Sequence, residues 1–138
     1  MDCLFCKIGK KEIPAEFVYE DDHAFGILDI NPIAPGHTMI IPKVHSENLI
    51  DLPAEEIGPV FLAVKKCAEN LSHAFKPEGF TLGINHGRVS GQLVDHLHIH
   101  IVPRFAGDGG GSVHSVVNNP PKESLEAIAK KIRNSVIY

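Results

Sequence analysis

The chain has 138 residues, 43% of them hydrophobic, which is enough for one compact domain with its own core. Its formal net charge of −4 argues against the basic surface that binds a nucleic-acid backbone. We find no apolar run long enough for a signal peptide or for a bilayer span. We therefore expect a cytoplasmic protein with three reduced cysteines and with no nucleic-acid or membrane partner.

The first part of the chain predicts three short strands. Residues 17–19 form the first, and residues 23–30 form the second, which stops at an Asn-Pro pair. Two prolines and a glycine in residues 31–36 allow neither a helix nor a strand, so this segment is a turn. Residues 37–41 are apolar and largely β-branched, which predicts a buried third strand closed by Pro42.

A long amphipathic helix follows, and its apolar residues recur at steps of three and four. They are Ile57, Val60, Phe61, Val64, Cys67, Ala68, Leu71 and Phe75. Residues 76–79 end this helix, and strands are predicted over 80–85 and 94–102. After a glycine-rich connector at 107–111, Asn119 is predicted to cap a last helix.

Five strands joined mostly by short turns, with two helices set apart from them, predict an α+β fold with an antiparallel sheet. We assign residues 1–138 to a single domain. Within it, residues 112–138 form a C-terminal tail that contains the last predicted helix.

Three histidines alternate along the last predicted strand. His96, His98 and His100 share one face at a spacing of about 6.6 Å, while the alternate apolar residues face the core. Core packing rarely places three imidazoles together, because each buried ring needs partners for both nitrogens. Two roles remain open: the rings could bind a metal, or one of them could attack phosphorus as a nucleophile.

Near the N-terminus, Cys3 and Cys6 have the spacing of half a zinc site. A redox pair would be expected at a helix start inside a thioredoxin-like βαβ pattern, which is not found here. A chance pair is the remaining alternative.

The segment 92–102 resembles the His-x-His-x-His-x-x signature of the histidine triad (HIT) family. Further blocks similar to this family are residues 2–8, 12–15, 29–32, 34–37 and 41–45, in the same order and spacing. Only the part after Phe105 is not covered well. The resemblance implies a five-stranded antiparallel sheet with two helices, continued across a homodimer.

The resemblance also implies hydrolysis at the α-phosphorus of a purine nucleotide conjugate of the AMP or GMP type, with an amine, acyl or phosphate leaving group. His98 would form a nucleotidyl-histidine intermediate, His100 would bind a phosphate oxygen and assist the leaving group, and His37 would support them. The nucleotide would contact Phe5, Ile8, Ile27, Leu28, Asp29, Ile30, Asn85, Gly91, Gln92 and Val94. Relatives with the cysteine pair imply a structural zinc ion on Cys3, Cys6, His45 and His96.

Each of these residues also has a plainer interpretation. Ile8, Ile27 and Ile30 fit a core, Asn85 fits an ordinary turn, and Asp29 fits an Asx turn. The histidines His23, His73, His86 and His114 are interpreted as surface residues.

Alternatives for the whole protein are a dinucleoside polyphosphate hydrolase, suggested by the surroundings of Arg104, and a nucleotide-binding adaptor with little turnover. Leu93 favours the adaptor, because many relatives carry a hydroxyl residue there. A hydrolase with a catalytic zinc on the triad is disfavoured, since the cysteines offer a better closed site.

Overall fold

A five-stranded antiparallel sheet forms the centre of the structure, a computed structural model that describes residues 2–138. The strands are β1 (Phe17–Glu20), β2 (Ala24–Leu28), β3 (Thr38–Pro42), β4 (Gly79–Gly83) and β5 (Ile99–Arg104). Their order across the sheet is β1-β2-β3-β5-β4, and every neighbouring pair is antiparallel. The predicted α+β class with five antiparallel strands is confirmed.

Three α-helices accompany the sheet: α1 (Leu4–Gly9), α2 (Ala54–Phe75) and α3 (Leu125–Asn134). Two short 3₁₀ turns lie at Arg88–Ser90 and Val113–Ser115. The six-residue α1 lies outside the two helices that the periodicity predicts, because it is too short to show a repeating apolar face. None of the helices in the part of the chain that the structure describes is both long and apolar enough to cross a membrane.

The sheet separates two apolar clusters. On one face, α2 packs against β-strand residues that include Ile40, Ile99 and Ile101. On the other face, Phe5 and Ile8 of α1 pack against residues of β2 and β3. The histidines lie on the α1 side, so this short helix and the candidate site share one face of the sheet.

The predicted apolar face of α2 needs one adjustment. Val60, Val64 and Leu71 are buried as expected, but Phe61 is 42% exposed and Ala63 is fully buried in its place. Steps of three and four define a face that is wider than the stripe that the sheet covers, so only packing decides which residues at its margin are buried.

Two predicted starting points, those of the last helix and the last strand, are wrong by several residues, whereas the other element ends lie close to the prediction. The last helix begins after Ser124, whose Oγ accepts a hydrogen bond from the N–H of Ala127, and not after Asn119. The last strand begins at Ile99 and not at residue 94. Before Ile99 the chain bends, since the N–H of His96 donates to the carbonyl of Val94 at 2.8 Å and leaves the regular ladder.

The turn between β2 and β3 sets the position of His37. Gly36 has a φ of +84°, a conformation that glycine adopts easily and other residues rarely adopt. A Cβ atom here would lie 3.0 Å from the ring of Phe75 and 3.1 Å from Leu71. The loop can therefore approach α2 only because residue 36 has no side chain, and His37 follows at once.

Candidate functional site

His98 has one ring nitrogen engaged by the backbone and the other directed away from it. Its Nδ1 lies 2.8 Å from the carbonyl oxygen of His96. A carbonyl can only accept, so Nδ1 carries the proton and the neutral ring keeps a lone pair on Nε2. Phe5 packs edge-on against the His98 ring with the centroids 5.1 Å apart, which restricts the ring further. The arrangement fits a nitrogen nucleophile that needs no separate base.

His100 and His37 form a second contact beside it. Nδ1 of His100 lies 2.9 Å from Nε2 of His37, and Nδ1 of His37 accepts the backbone N–H of Ile33 at 3.2 Å. The carboxylate Oδ2 of Asp29 lies 3.5 Å from His37 Nε2 and 3.7 Å from His100 Nδ1. Burial lowers the pKa of His100 to about 4, so this ring is neutral near pH 7.

The β2–β3 hairpin brings Asp29 to these rings. The N–H of Asp29 donates to the carbonyl of His37 at 3.0 Å across the mouth of the turn. Its Oδ1 accepts the N–H of Asn31 at 2.8 Å, which is the Asx turn offered as the plainer interpretation. The other carboxylate oxygen remains directed at the histidine pair, so the residue has a local role and a role at the site.

Cys3, Cys6, His45 and His96 form a separate cluster whose ligand atoms all lie within 4.8 Å of one another. The Sγ–Nδ1 distances are 3.4 Å for Cys3–His96, 3.4 Å for Cys6–His45 and 3.5 Å for Cys6–His96. The two Nδ1 atoms are 3.2 Å apart. A tetrahedral zinc ion with these ligands has ligand–ligand distances of about 3.3–3.8 Å, so the four residues fit a closed zinc site.

The orientation of His96 supports this fit. Its Nε2 lies 2.8 Å from the carbonyl oxygen of Pro42, so Nε2 carries the proton and Nδ1 offers its lone pair to the cysteines. Burial lowers the pKa of His96 to about 4, which keeps the ring in the neutral form that binds metals. The carbonyl of His96 also orients His98, so a candidate metal ligand and the candidate nucleophile lie two residues apart and share a backbone contact.

The turn before the histidines is held by its own side chains. The amide of Gln92 accepts the N–H of Gly87 at 2.8 Å and donates to the carbonyls of Glu47 and Val94. Arg88 donates to the carbonyl of Leu93 and to the carboxylate of Asp95. The buried Gln92 side chain is therefore fully hydrogen-bonded, and its backbone N–H donates to the carbonyl of Gly87 at 3.2 Å. The predicted contact of Gln92 with phosphate would have to replace one of these hydrogen bonds.

The other predicted nucleotide-binding residues divide by burial. Phe5, Ile8 and Ile27 belong to the apolar cluster below α1, whereas Leu28 and Ile30 are exposed. Asn85 and Val94 are partly buried, and Gly91 is exposed and lies close to the side chain of Asn85. In the single chain, the packing of Ile8 and Ile27 agrees with the core interpretation.

The remaining charged groups have other partners. Arg104 donates to Asp108, Thr81 Oγ1 and the carbonyl of Gly111, so its guanidinium is already used inside the chain. His23, His73, His86 and His114 are exposed, as expected. The sequence did not predict the contact of the Ile33 N–H with His37, because nearly every residue type has a backbone N–H and the residue type therefore does not reveal it.

The comparisons with known proteins agree with this geometry. The chain belongs to the HIT domain family, whose model matches residues 10–107. It is 42% identical over 131 residues to an uncharacterized HIT-like protein from Methanocaldococcus jannaschii, covering 95% of this chain and 98% of that one. It is 32% identical over 136 residues to an adenosine 5′-monophosphoramidase from Schizosaccharomyces pombe, covering 99% of each. A solved HIT family structure from Bacillus subtilis superposes with a TM-score of 0.87 at 36% identity, covering 100% of this chain and 99% of that one.

Proposed function

We propose that the protein hydrolyses nucleoside monophosphate conjugates by attack at the α-phosphorus. The observation that carries this proposal is the 2.8 Å contact between His98 Nδ1 and the carbonyl of His96, which leaves Nε2 as a free nucleophile. The lone pair of Nε2 forms a bond to phosphorus while the leaving group departs. The ring keeps its Nδ1 proton and becomes a cation beside the carbonyl of His96, and water then releases the nucleotide.

His100 would donate a hydrogen bond to a phosphate oxygen or to the leaving group, and His37 would hold His100 in place. The base and ribose would contact Phe5, Ile8, Ile27, Leu28, Asp29 and Ile30, and the phosphate would contact Asn85, Gly91, Gln92 and Val94. An AMP or GMP conjugate with an amine, acyl or phosphate leaving group is the proposed substrate class. The monophosphoramidase name of the Schizosaccharomyces pombe relative supports this choice.

The direct test incubates the protein with an adenosine phosphoramidate, with and without a chelator. Release of AMP that resists the chelator, together with an adenylylated His98 seen by mass spectrometry after acid-free quenching, supports the proposal. His98→Asn removes the nucleophile and should abolish both signals. His86→Asn is the matched control, because His86 is exposed and outside the site.

The same assay separates the alternatives. AMP that binds tightly without turnover supports an adaptor, for which exposed Leu93 offers no hydroxyl to a leaving group. Rapid loss of activity on chelation, before any unfolding, supports a catalytic metal. Faster cleavage of a dinucleoside polyphosphate than of the phosphoramidate supports the other hydrolase branch.

We further propose that Cys3, Cys6, His45 and His96 hold a structural zinc ion. Four protein ligands leave no open position, so the ion would not activate water. It would tie α1 to the segment that carries His98, which is the role of a structural site. Two of the four ligands are cysteine sulfurs, and reducing conditions would keep them available to the ion.

A homodimer is the third proposal. The strand β4 lies at the edge of the sheet, where the backbone groups on its outer side can pair with a further strand, and Leu82 on this strand is 51% exposed. Next to it, a cleft of about 640 Å³ is lined mainly by apolar residues of β4 and of the segment 110–117. A second copy that pairs with β4 would continue the sheet and cover this cleft.

A further inference from the structure

We infer that Cys3 and Cys6 form a peroxide-sensitive pair that controls the candidate active site. A hydroperoxide oxidises the two sulfurs to a disulfide, the metal ion loses two of its four ligands and leaves, and the contact of Phe5 with His98 loosens. The inference rests on the zinc site and the hydrolysis proposed above. It goes beyond them by assigning a chemical modification to the cysteine pair and an effect to that modification.

The two cysteines lie at the start of α1 and face each other. Cys3 precedes the helix and Cys6 is its third residue, and the N–H of Cys6 lies 3.5 Å from Sγ of Cys3. The two Sγ atoms belong to the cluster whose ligand atoms all lie within 4.8 Å of one another, and both cysteines are free. Side-chain rotation and a small adjustment of α1 therefore bring the sulfurs to the length of a disulfide bond, about 2.05 Å.

A cleft of about 270 Å³ gives access to this pair beside Cys6. Cys6 is partly exposed, whereas Cys3 is only 8% exposed. Lys10 and Lys43 line the same cleft, and Nζ of Lys43 also contacts the carboxylate of Glu20 at 3.0 Å. A small hydroperoxide fits this space, and the two cations favour the departure of hydroxide from it. Cys6 is therefore the sulfur that reacts first.

The reaction takes place in two steps. Both sulfurs are thiolates when they hold the ion, and the thiolate is the form that attacks a hydroperoxide. Sγ of Cys6 attacks the hydroxyl oxygen of the peroxide, an S–O bond forms, the O–O bond breaks, and hydroxide or alkoxide leaves. Sγ of Cys3 then attacks Sγ of Cys6, the S–S bond forms, and the S–O bond breaks with loss of hydroxide. Two electrons pass from the sulfurs to the peroxide, and solvent protonates the two anions.

The disulfide does not replace the links that the cluster makes to the rest of the chain. Through the ion, Cys6 is joined to His45 and His96, which are 39 and 90 positions away. The disulfide closes a short loop within the start of α1 and joins this helix to no other segment. Two histidines alone make a weak zinc site, because a structural zinc ion takes four protein ligands. Oxidation therefore releases the ion, and α1 stays attached mainly by the packing of Phe5 and Ile8.

Phe5 connects the state of the pair with the candidate nucleophile. It lies between the two cysteines in the chain, and its ring packs edge-on against His98 with the centroids 5.1 Å apart. A helix of six residues is not stable by itself, so α1 depends on its attachment to the sheet. When that attachment weakens, Phe5 restricts the His98 ring less. Because the rate of attack depends on the orientation of the attacking atom, the activity falls.

The first experiment treats the zinc-loaded protein with a small excess of hydrogen peroxide. A colorimetric indicator follows zinc release, and mass spectrometry of the intact chain and its peptides follows the disulfide. We expect one zinc ion for each Cys3–Cys6 disulfide and a Tm lower by about 10–20 °C. Dithiothreitol with added zinc should reverse both changes, which separates this reaction from the oxidation of methionine or of a sulfur beyond the disulfide.

Cys67→Ala is the matched control. Cys67 is 1% exposed and packs between α2 and the opposite face of the sheet, so it takes no part in the pair. The variant leaves Cys3 and Cys6 as the remaining thiols and should release zinc on peroxide treatment as the unmodified protein does. Zinc release that is lost in this variant would show that another thiol reacts, and would overturn the inference.

The second experiment measures kcat/KM for the adenosine phosphoramidate before oxidation, after oxidation, and after reduction with zinc. It is carried out at a temperature at which circular dichroism shows that the oxidised protein is still folded, so that a loss of activity does not report unfolding. We expect kcat/KM to fall about tenfold on oxidation and to return after reduction, because the position of the attacking ring is lost and regained.

The outcomes separate the inference from the proposals on which it rests. Zinc-loaded protein that keeps its ion and both thiols in peroxide would overturn the inference and leave the zinc site and the hydrolysis intact. Complete disulfide formation with an unchanged kcat/KM would also overturn it, since the pair would not control the site. Protein that binds no zinc would refute the zinc site, and reduced, zinc-loaded protein that releases no AMP would refute the hydrolysis; either result also removes the inference.

Discussion

Removing one cysteine of the proposed zinc site should abolish a large, zinc-dependent part of the stability. In the structure, the three Sγ–Nδ1 distances of 3.4–3.5 Å and the Nδ1–Nδ1 distance of 3.2 Å already match a tetrahedral ligand set. Binding therefore requires little rearrangement. If free zinc is buffered about 1,000-fold above its Kd, the folded state gains about 4 kcal/mol.

For a chain of 138 residues, 4 kcal/mol corresponds to a rise in Tm of about 10–20 °C. We expect Cys6→Ser to lose this rise, because the serine hydroxyl is a poor zinc ligand. Cys67→Ala is the matched control, since Cys67 is buried in α2 and belongs to the other apolar cluster. It should lower the Tm somewhat and keep the full response to zinc.

The assay is thermal unfolding followed by circular dichroism, in zinc-buffered solution and after chelation, with the metal content measured on the same samples. The reasoning would be refuted if protein purified without added zinc held less than about a tenth of an equivalent and chelation left its Tm unchanged, because a preorganised structural site should be occupied. It would also be refuted if Cys6→Ser and Cys67→Ala responded equally to zinc.

Three further predictions concern the turn, the pH dependence and the assembly. Gly36→Ala should lower the free energy of unfolding by about 2 kcal/mol, because φ is +84° and the new Cβ would lie 3.0 Å from Phe75. Gly58→Ala, on the exposed side of α2, should raise the free energy of unfolding by about 0.5–1 kcal/mol. Urea unfolding of both variants measures these changes, and a change in the same direction for both would contradict the prediction. Burial lowers the pKa of His100 to about 4, from about 6.5 in the unfolded chain, so the unfolded chain binds the proton more readily. The free energy of unfolding should therefore fall as the pH decreases from about 6.5 to about 4, and His100→Gln should show a shallower fall. The same dependence of stability on pH in the variant and the unmodified protein would exclude His100 as the cause. Leu82→Lys places a charge on the edge strand and should convert the proposed dimer to monomers in analytical ultracentrifugation, which an unmodified protein that is already monomeric at tens of micromolar would refute.

Much of the architecture follows from local patterns along the chain. Alternation places Leu97 and Ile99 in the core on one face and His98 on the other, because successive side chains of an extended chain point to opposite sides. The periodicity of residues 57–75 predicts α2, and the prolines and glycine of residues 31–36 predict the turn before His37. The alternation, the helix and the turn each depend on residues that are close together in the chain, so the sequence alone is sufficient to predict them.

Other features depend on contacts between distant segments, which only the tertiary structure decides. Cys3 and His96 are 93 positions apart, and their approach results from the packing of α1 on the sheet. The position of the His37 ring depends on a backbone N–H at Ile33, a donor that every residue except proline has. The residue types predict that three imidazoles share a face. Which ring nitrogen carries the proton depends on the donor or acceptor beside it, such as the carbonyl beside Nδ1 of His98, and the sequence does not show these neighbours. The fold alone therefore brings His96 to the two cysteines, turns Nδ1 of His98 to a carbonyl and sets His100 beside His37, and the proposed roles of the three rings rest on these contacts.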